Sequence, residues 1–353
     1  MSDYQQIQIE TATPTIGAFV TGVDLNNVRS QAVYDEIKAA LWKHQVLFFR
    51  DQPLNPENYI ALGKQFGDME EHEFFPHVDG HPQIQTIASE GYARPETDRW
   101  HTDVTFREKP NTVSILRCIR MPESNGGDTL WANTAAAFDL LDDSMKRVLL
   151  TLTAEHDMHY AFRKLINFGG KYGGTEEETA KSNAMMATSG LDKEVERMRN
   201  NPPRMHPFVV THHTTGRLHM FVNSIWTKVV HGFYEDVGDK MLEFLYEWIK
   251  KPEFQVRLRW QKDTVAIWDN HATQHYAVFD YAPHRREMQR MTCGAAKPEL
   301  DLSIVPAHLL PDPRDTDRQT AGPVSVDIVD QSRLAAAPLR EQAAVRSIMD
   351  ALR

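Results

Sequence analysis

Trp100-His101-Thr102-Asp103-Val104-Thr105-Phe106 is the stretch from which the rest of the chain can be read. Its flanks are rich in β-formers, which predicts an extended chain. Side chains two apart on a strand share a face, so His101 and Asp103 would offer an imidazole and a carboxylate to one metal ion. A third ligand is available far downstream, in Trp268-Asp269-Asn270-His271-Ala272-Thr273-Gln274-His275. Two histidines and one carboxylate on one side of a metal leave the other side open, the facial triad of non-haem iron(II) oxygenases. Taken alone, a His-x-Asp also fits a polar strand edge, so the remainder of the chain has to decide.

Outward from that stretch, several motifs fall in order. Gly126-Gly127-Asp128-Thr129-Leu130-Trp131 follows at about 25 residues, then Thr273-Gln274-His275-Tyr276-Ala277, then Arg285-Arg286 and Arg290. Val46-Leu47-Phe48-Phe49-Arg50-Asp51-Gln52 precedes them, and Trp268-Asp269-Asn270 lies late. From about Ile16-Gly17-Ala18 to Ala296 this set resembles the taurine dioxygenase (TauD/TfdA) family of 2-oxoglutarate-dependent dioxygenases. The resemblance implies a mainly β fold braced by helices, a double-stranded β-helix or jelly roll, with metal ligands at one open end.

Composition sets the bounds. The chain has 353 residues, enough for one large domain or two small ones. With 41% hydrophobic and 25% charged residues it reads as an ordinary globular protein. No apolar run approaches the ~20 residues of a membrane helix, and the first residues lack the basic and apolar regions of a secretory signal. Two cysteines, Cys118 and Cys293, build no disulfide framework, which points to a reducing cytoplasm. A net charge of −10 argues against general nucleic-acid binding, though a buried arginine pocket can still hold an anion. The expected partner is a small anionic organic substrate, with no nucleic acid and no membrane, in a homo-oligomer (dimer or tetramer).

Along the chain, residues 14–27 alternate like a short strand and then turn. Ser30 is positioned to cap a helix whose apolar residues Val33, Ile37, Ala40 and Leu41 share a face. Val46–Phe49 reads as a buried strand and Asn55–Phe66 as a helix closed by Gly67. Phe138–Leu152 and Val237–Lys250 read as helices. Gln83–Ile87, Val113–Arg117, Phe208–Val210, His219–Val222, Val256–Trp260 and Val265–Trp268 read as short strands, the signature of a sandwich or barrel. The dioxygenase domain is expected over residues 1–297, with an insertion at about 164–206 that is either a solvated surface feature or an active-site lid. Residues 298–353 form a tail, with a final helix at about Arg333–Leu352.

The resemblance assigns roles residue by residue. His101, Asp103 and His275 are the expected ligands of Fe(II); His271 is the nearest competitor but does not match the motif position. His77 and His81 read as loop residues and His284 as surface. Arg286, eleven residues after His275, would clamp the far carboxylate of 2-oxoglutarate with the Thr129 hydroxyl. A guanidinium does this bidentately. Arg290, His72 and the Val104 backbone amide would take the anionic head of the primary substrate, a set suited to three sulfonate or sulfate oxygens. At the positions where the taurine enzyme uses a tyrosine and an asparagine near the substrate amine stand Phe75 and Thr97. An ammonium facing Phe75 would be buried unpaired, which is costly, whereas Phe74, Phe75, Phe221 and Trp226 suit an apolar tail.

The implied reaction couples O2 and 2-oxoglutarate to hydroxylation of the carbon beside the anionic group. Succinate, CO2, an aldehyde and sulfite or sulfate are the products. The same logic serves a carboxylate substrate of the aryloxyalkanoate type, or a natural-product intermediate. Two other classes stay in view. A zinc hydrolase could use the same ligands but has no need of Arg286 and Arg290. A non-catalytic jelly-roll module has no need of all three ligands.

Overall fold

The computed structural model describes residues 4–28, 30–71, 76–92, 98–160, 196 and 198–310. Its elements run β1 (Gln8–Thr11), β2 (Ala18–Thr21), α1 (Gln31–His44), β3 (Val46–Phe49), α2 (Pro56–Lys64), β4 (His77–Val78), β5 (His81–Ser89), β6 (Val113–Arg120), β7 (Thr129–Asn133), α3 (Thr134–Asp139) and α4 (Asp143–Leu149). There follow β8 (Thr153–His156), β9 (Arg204–Pro207), β10 (Val209–Thr211), β11 (Leu218–Met220), β12 (Thr227–Val230), α5 (Glu235–Ile249), β13 (Gln255–Leu258), β14 (Val265–Asp269), β15 (Thr273–Ala277) and β16 (Arg286–Cys293).

The larger sheet has the order β1-β2-β3-β14-β6-β16-β5-β4, and a three-stranded sheet has the order β13-β7-β15. Strand alternation sorts the side chains of the large sheet between two cores. Val46, Phe48, Leu116, Ala266, Trp268 and Met288 point inward, where they pack with Trp131, Val256 and Leu258 of the small sheet. Their neighbours Leu47, Phe49, Ile115, Val265, Ile267 and Met291 point outward and are covered by Ile37, Ala40 and Leu41 of α1 and Tyr59 and Leu62 of α2. Both helices start as the sequence predicts: Ser30 accepts from the Ala32 amide and Asn55 from the Asn58 amide. A third core gathers α3, α4 and α5 around the β10–β11 hairpin. This is the expected jelly roll, two antiparallel-rich sheets face to face with helices bracing the outside.

Three local expectations are corrected. Phe138–Leu152 is two short helices, because Asp142 caps a new start by accepting from the Met145 amide at 2.9 Å. His77 lies in β4 and His81 opens β5 rather than in a loop. The Trp100–Phe106 segment is no strand: His101 makes an isolated bridge with His275, and the chain then turns.

The chain divides into two compact units. The first comprises Met1–Ala154 and His206–Leu310, so it runs past Lys297. The second comprises Glu155–Met205 and Pro311–Arg353; within it Asp157 accepts from the His159 amide at 2.7 Å. Most of the 164–206 stretch and the whole Arg333–Leu352 helix expectation lie outside the described residues. No described helix is long and apolar enough to cross a membrane.

Candidate active site

His101 and His275 are 174 positions apart, and backbone pairing brings them together. The His101 amide donates to the His275 carbonyl at 3.0 Å and the His275 amide to the His101 carbonyl at 2.7 Å. Their ring centroids are 4.1 Å apart. His275 is placed by β15, which pairs with β7 so that His275 lies opposite Trp131. Asp103 is placed differently. Val104 has φ +49°, in the left-handed region that a β-branched residue rarely enters, so the chain turns sharply just past Asp103.

Asn270 holds that turn. Its Oδ1 accepts from the Asp103 amide at 3.0 Å, and its Nδ2 donates to the Asp103 carbonyl at 3.2 Å and to the Asn111 carbonyl at 2.9 Å. The Trp226 indole donates to the Thr102 carbonyl and Asn223 to the Thr105 hydroxyl. The position of Asp103 beside His101 is thus fixed by a braced turn instead of by strand alternation.

The three ligand atoms, one from each residue, all lie within 4.8 Å of one another, and all three residues are buried. Among the described residues this is the one His/Cys/Asp/Glu cluster with such geometry. The donor set fits a divalent transition metal. His101 Nδ1 donates to the Arg99 carbonyl at 2.7 Å, which turns Nε2 toward Asp103. Burial, reinforced by the neighbouring His101, pushes the His275 pKa down to about 3, so its ring is neutral. Burial pushes the Asp103 carboxyl up, but Arg290, His275 and His101 together hold it well below the usual carboxylate range. The neutral His275 imidazole, the ionised Asp103 carboxylate and the His101 ring form a nitrogen–oxygen ligand set that suits such a metal.

Arg286 and Arg290 share a face of β16 with the inward-pointing Met288 between them. Arg286 is buried, and its Nε and Nη2 have no hydrogen-bond partner among the described residues. It lies against Gly127, two residues before Thr129. The Trp260 indole donates to Thr129 Oγ1 at 2.9 Å, which leaves that hydroxyl proton available to an acceptor. A buried guanidinium with unused donors, close to a free hydroxyl proton, fits a carboxylate. Arg290 Nη1 lies 3.2 and 3.4 Å from the two Asp103 oxygens, and its Nε donates to Gln85 at 3.0 Å.

The other predicted residues separate clearly. His271 donates to the Pro110 carbonyl and stands outside the triad. His284 is half-exposed beside Glu123. Phe221 is buried, and Trp226 packs edge-on to Phe106. His72, Phe74, Phe75 and Thr97 lie outside the described residues. Both cysteines are free and buried. Sequence reasoning missed Asn270, Gln85 and Trp260. Only Asn270 carried a signal, as part of the quoted Trp-Asp-Asn.

A jelly roll with this His-Asp-His cluster and a buried guanidinium nearby suits a metal-dependent oxygenase. Comparison makes the assignment particular: the taurine catabolism dioxygenase TauD, TfdA family matches residues 8–292, and the chain belongs to it as a 2-oxoglutarate-dependent dioxygenase. It is 33% identical to an alkylsulfatase of Acinetobacter baylyi, over 82% of this chain and 85% of that one. It is 31% identical to an alpha-ketoglutarate-dependent sulfate ester dioxygenase of Pseudomonas putida, over 83% of this chain and 91% of the other. Among solved structures, a taurine dioxygenase from Burkholderia xenovorans superposes with a TM-score of 0.67 at 31% identity, covering 83% and 91% of the two chains.

Proposed function

We propose that this chain hydroxylates a small organic sulfate ester or sulfonate at the carbon bearing the anionic group. The observation that carries the reading is the buried His101–Asp103–His275 cluster together with a guanidinium, Arg286, whose Nε and Nη2 have no partner among the described residues. In this reading His101, Asp103 and His275 hold Fe(II), and Arg286 and the Thr129 hydroxyl hold the far carboxylate of 2-oxoglutarate. Arg290, with His72 and the Val104 amide, takes the substrate head. Iron, 2-oxoglutarate and O2 supply the oxidising power when bound, with succinate and CO2 as co-products. The chain's own residues bind, orient and keep water from the reacting carbon. A carbon bearing both hydroxyl and sulfate, or hydroxyl and sulfonate, breaks that bond to give an aldehyde and sulfate or sulfite. The names of the two relatives support a sulfate ester, and Phe75 supports a tail without an amine. The chain works in the cytoplasm as a homo-oligomer.

The test starts without oxygen. Iron(II) plus 2-oxoglutarate should give a visible charge-transfer band, which a zinc hydrolase would not. With oxygen, uptake is then followed with hexyl sulfate, hexanesulfonate, hexanoate, phenoxyacetate and taurine. Hexyl sulfate or hexanesulfonate should exceed taurine at least tenfold in kcat/KM, since a lost polar contact to a charged group costs roughly 1.5–3 kcal/mol. His101→Ala should abolish turnover and His271→Ala should retain most of it. Turnover of the carboxylates alone, or a dead His271→Ala variant, would overturn the reading.

A further inference from the structure

Gln85 is fully buried at 0% exposure and is the direct cross-strand partner of Arg290, β5 against β16. Its Oε1 accepts from Arg290 Nε at 3.0 Å, while Nη1 of the same guanidinium reaches Asp103 at 3.2 Å. Arginine can only donate, so the amide orientation is settled: the oxygen faces Arg290 and the NH2 group is the other end. That Nε2 is buried and has no acceptor among the described residues. A sealed amide donor without a partner is costly to fold around. The oxygen is accounted for by Arg290, but the second end of the amide is not, so the Nε2–H calls for a ligand that completes it.

We propose that Gln85 is a specificity-determining residue that donates its Nε2–H to the anionic head of the primary substrate beside Arg290. The inference rests on the reading of Arg290 as the head-group arginine. The chemistry selects the head. A planar carboxylate satisfies both oxygens on one guanidinium edge. A tetrahedral sulfate or sulfonate keeps a further oxygen out of that plane, and a second donor beside the guanidinium is placed to take it. Gln85 thus favours three-oxygen heads over carboxylates of the same chain length, and its Oε1 keeps the guanidinium aligned.

Calorimetric titration tests this in the protein loaded with iron(II) and 2-oxoglutarate without oxygen, using hexyl sulfate and hexanoate as probes. Gln85→Leu removes the donor and also the acceptor that aligns Arg290, so it should weaken both probes, hexyl sulfate at least tenfold more than hexanoate, with 2-oxoglutarate affinity unchanged within twofold. Gln85→Glu keeps an acceptor for Arg290 but replaces the donor with a negative charge, so it should weaken hexyl sulfate further still. Wild-type-like hexyl sulfate binding in either variant overturns the inference, as does an equal loss for both probes. Should Gln85→Leu fail to fold, Gln85→Glu decides alone. A wild-type protein that does not bind hexyl sulfate overturns the substrate reading itself, a result distinct from a bound probe indifferent to Gln85.

Discussion

At the scale of single residues, the site depends on groups that do no chemistry. Asn270 makes three hydrogen bonds to the backbone around Asp103, all buried. Removing it strands one amide and two carbonyls and releases the turn that aims the carboxylate. Partners that orient ligands are worth about 10–100-fold in metal affinity. Asn270→Ala is therefore expected to weaken iron(II) binding by at least tenfold in an anaerobic titration. Affinity within twofold of wild type would mean that Val104 and the neighbouring contacts hold the turn unaided. His101, Asp103 and His275 were legible in the sequence because ligand chemistry restricts residue type. Gln85 was not, since a glutamine in a strand looks like any solvent-facing polar position until its burial is seen. The route by which Asp103 meets His101 was also hidden. Spacing suggested a strand, whereas the structure uses a left-handed valine, which has no sequence signature.

At the scale of elements, the approach of β16 to the turn before β7 sets the place of Arg286, the proposed carboxylate ligand. Gly127 has φ +84°, and a Cβ there would lie 2.7 Å from both Cδ and Nε of Arg286. Its amide also donates to Asp280 Oδ1 at 2.7 Å, which pins the turn and prevents it from yielding. Gly127→Ala must then displace the guanidinium in addition to straining the backbone. The expected outcome is at least a tenfold higher requirement for 2-oxoglutarate in oxygen uptake, with the iron(II) titration unchanged. Equal weakening of both would indicate a general collapse of this end of the sandwich. Strands were the most legible elements, because a sheet covered on both faces leaves uninterrupted apolar runs such as Val46–Phe49 and Val265–Trp268. The helix expected over Phe138–Leu152 failed for a local reason: the apolar rhythm continues through Asp142, while its side chain starts a second helix.

At the scale of the whole molecule, buried ionisable groups make the fold sensitive to acid. At the end of β14, Asp269 lies 2.9 Å from His212, whose Nδ1 accepts from the Thr214 and Thr215 amides. Burial pushes His219 down to about 3 and His271 down to about 4. Burial pushes Asp269 up, but His212, His219 and His271 bring it to about 2. The signs agree. An unfolded histidine takes up a proton near pH ~6.5, whereas the native rings refuse it until about 4 and 3, so the unfolded chain binds more protons in that window. Stability present above pH ~6.5 is therefore lost as pH falls toward 4, and the Asp269 contribution is lost below that. His219 offers the cleanest test, because its Nε2 has no partner among the described residues. His219→Leu should be at least as stable as wild type at pH 8, where the unpaired nitrogen only costs. Its advantage should grow by on the order of 3 kcal/mol by pH 4, since each pKa unit is worth ~1.4 kcal/mol. Urea unfolding of both proteins at half-unit steps from pH 8 to 4 measures this directly. Parallel profiles would mean that His219 titrates alike in both states and that the acid sensitivity resides elsewhere in the molecule.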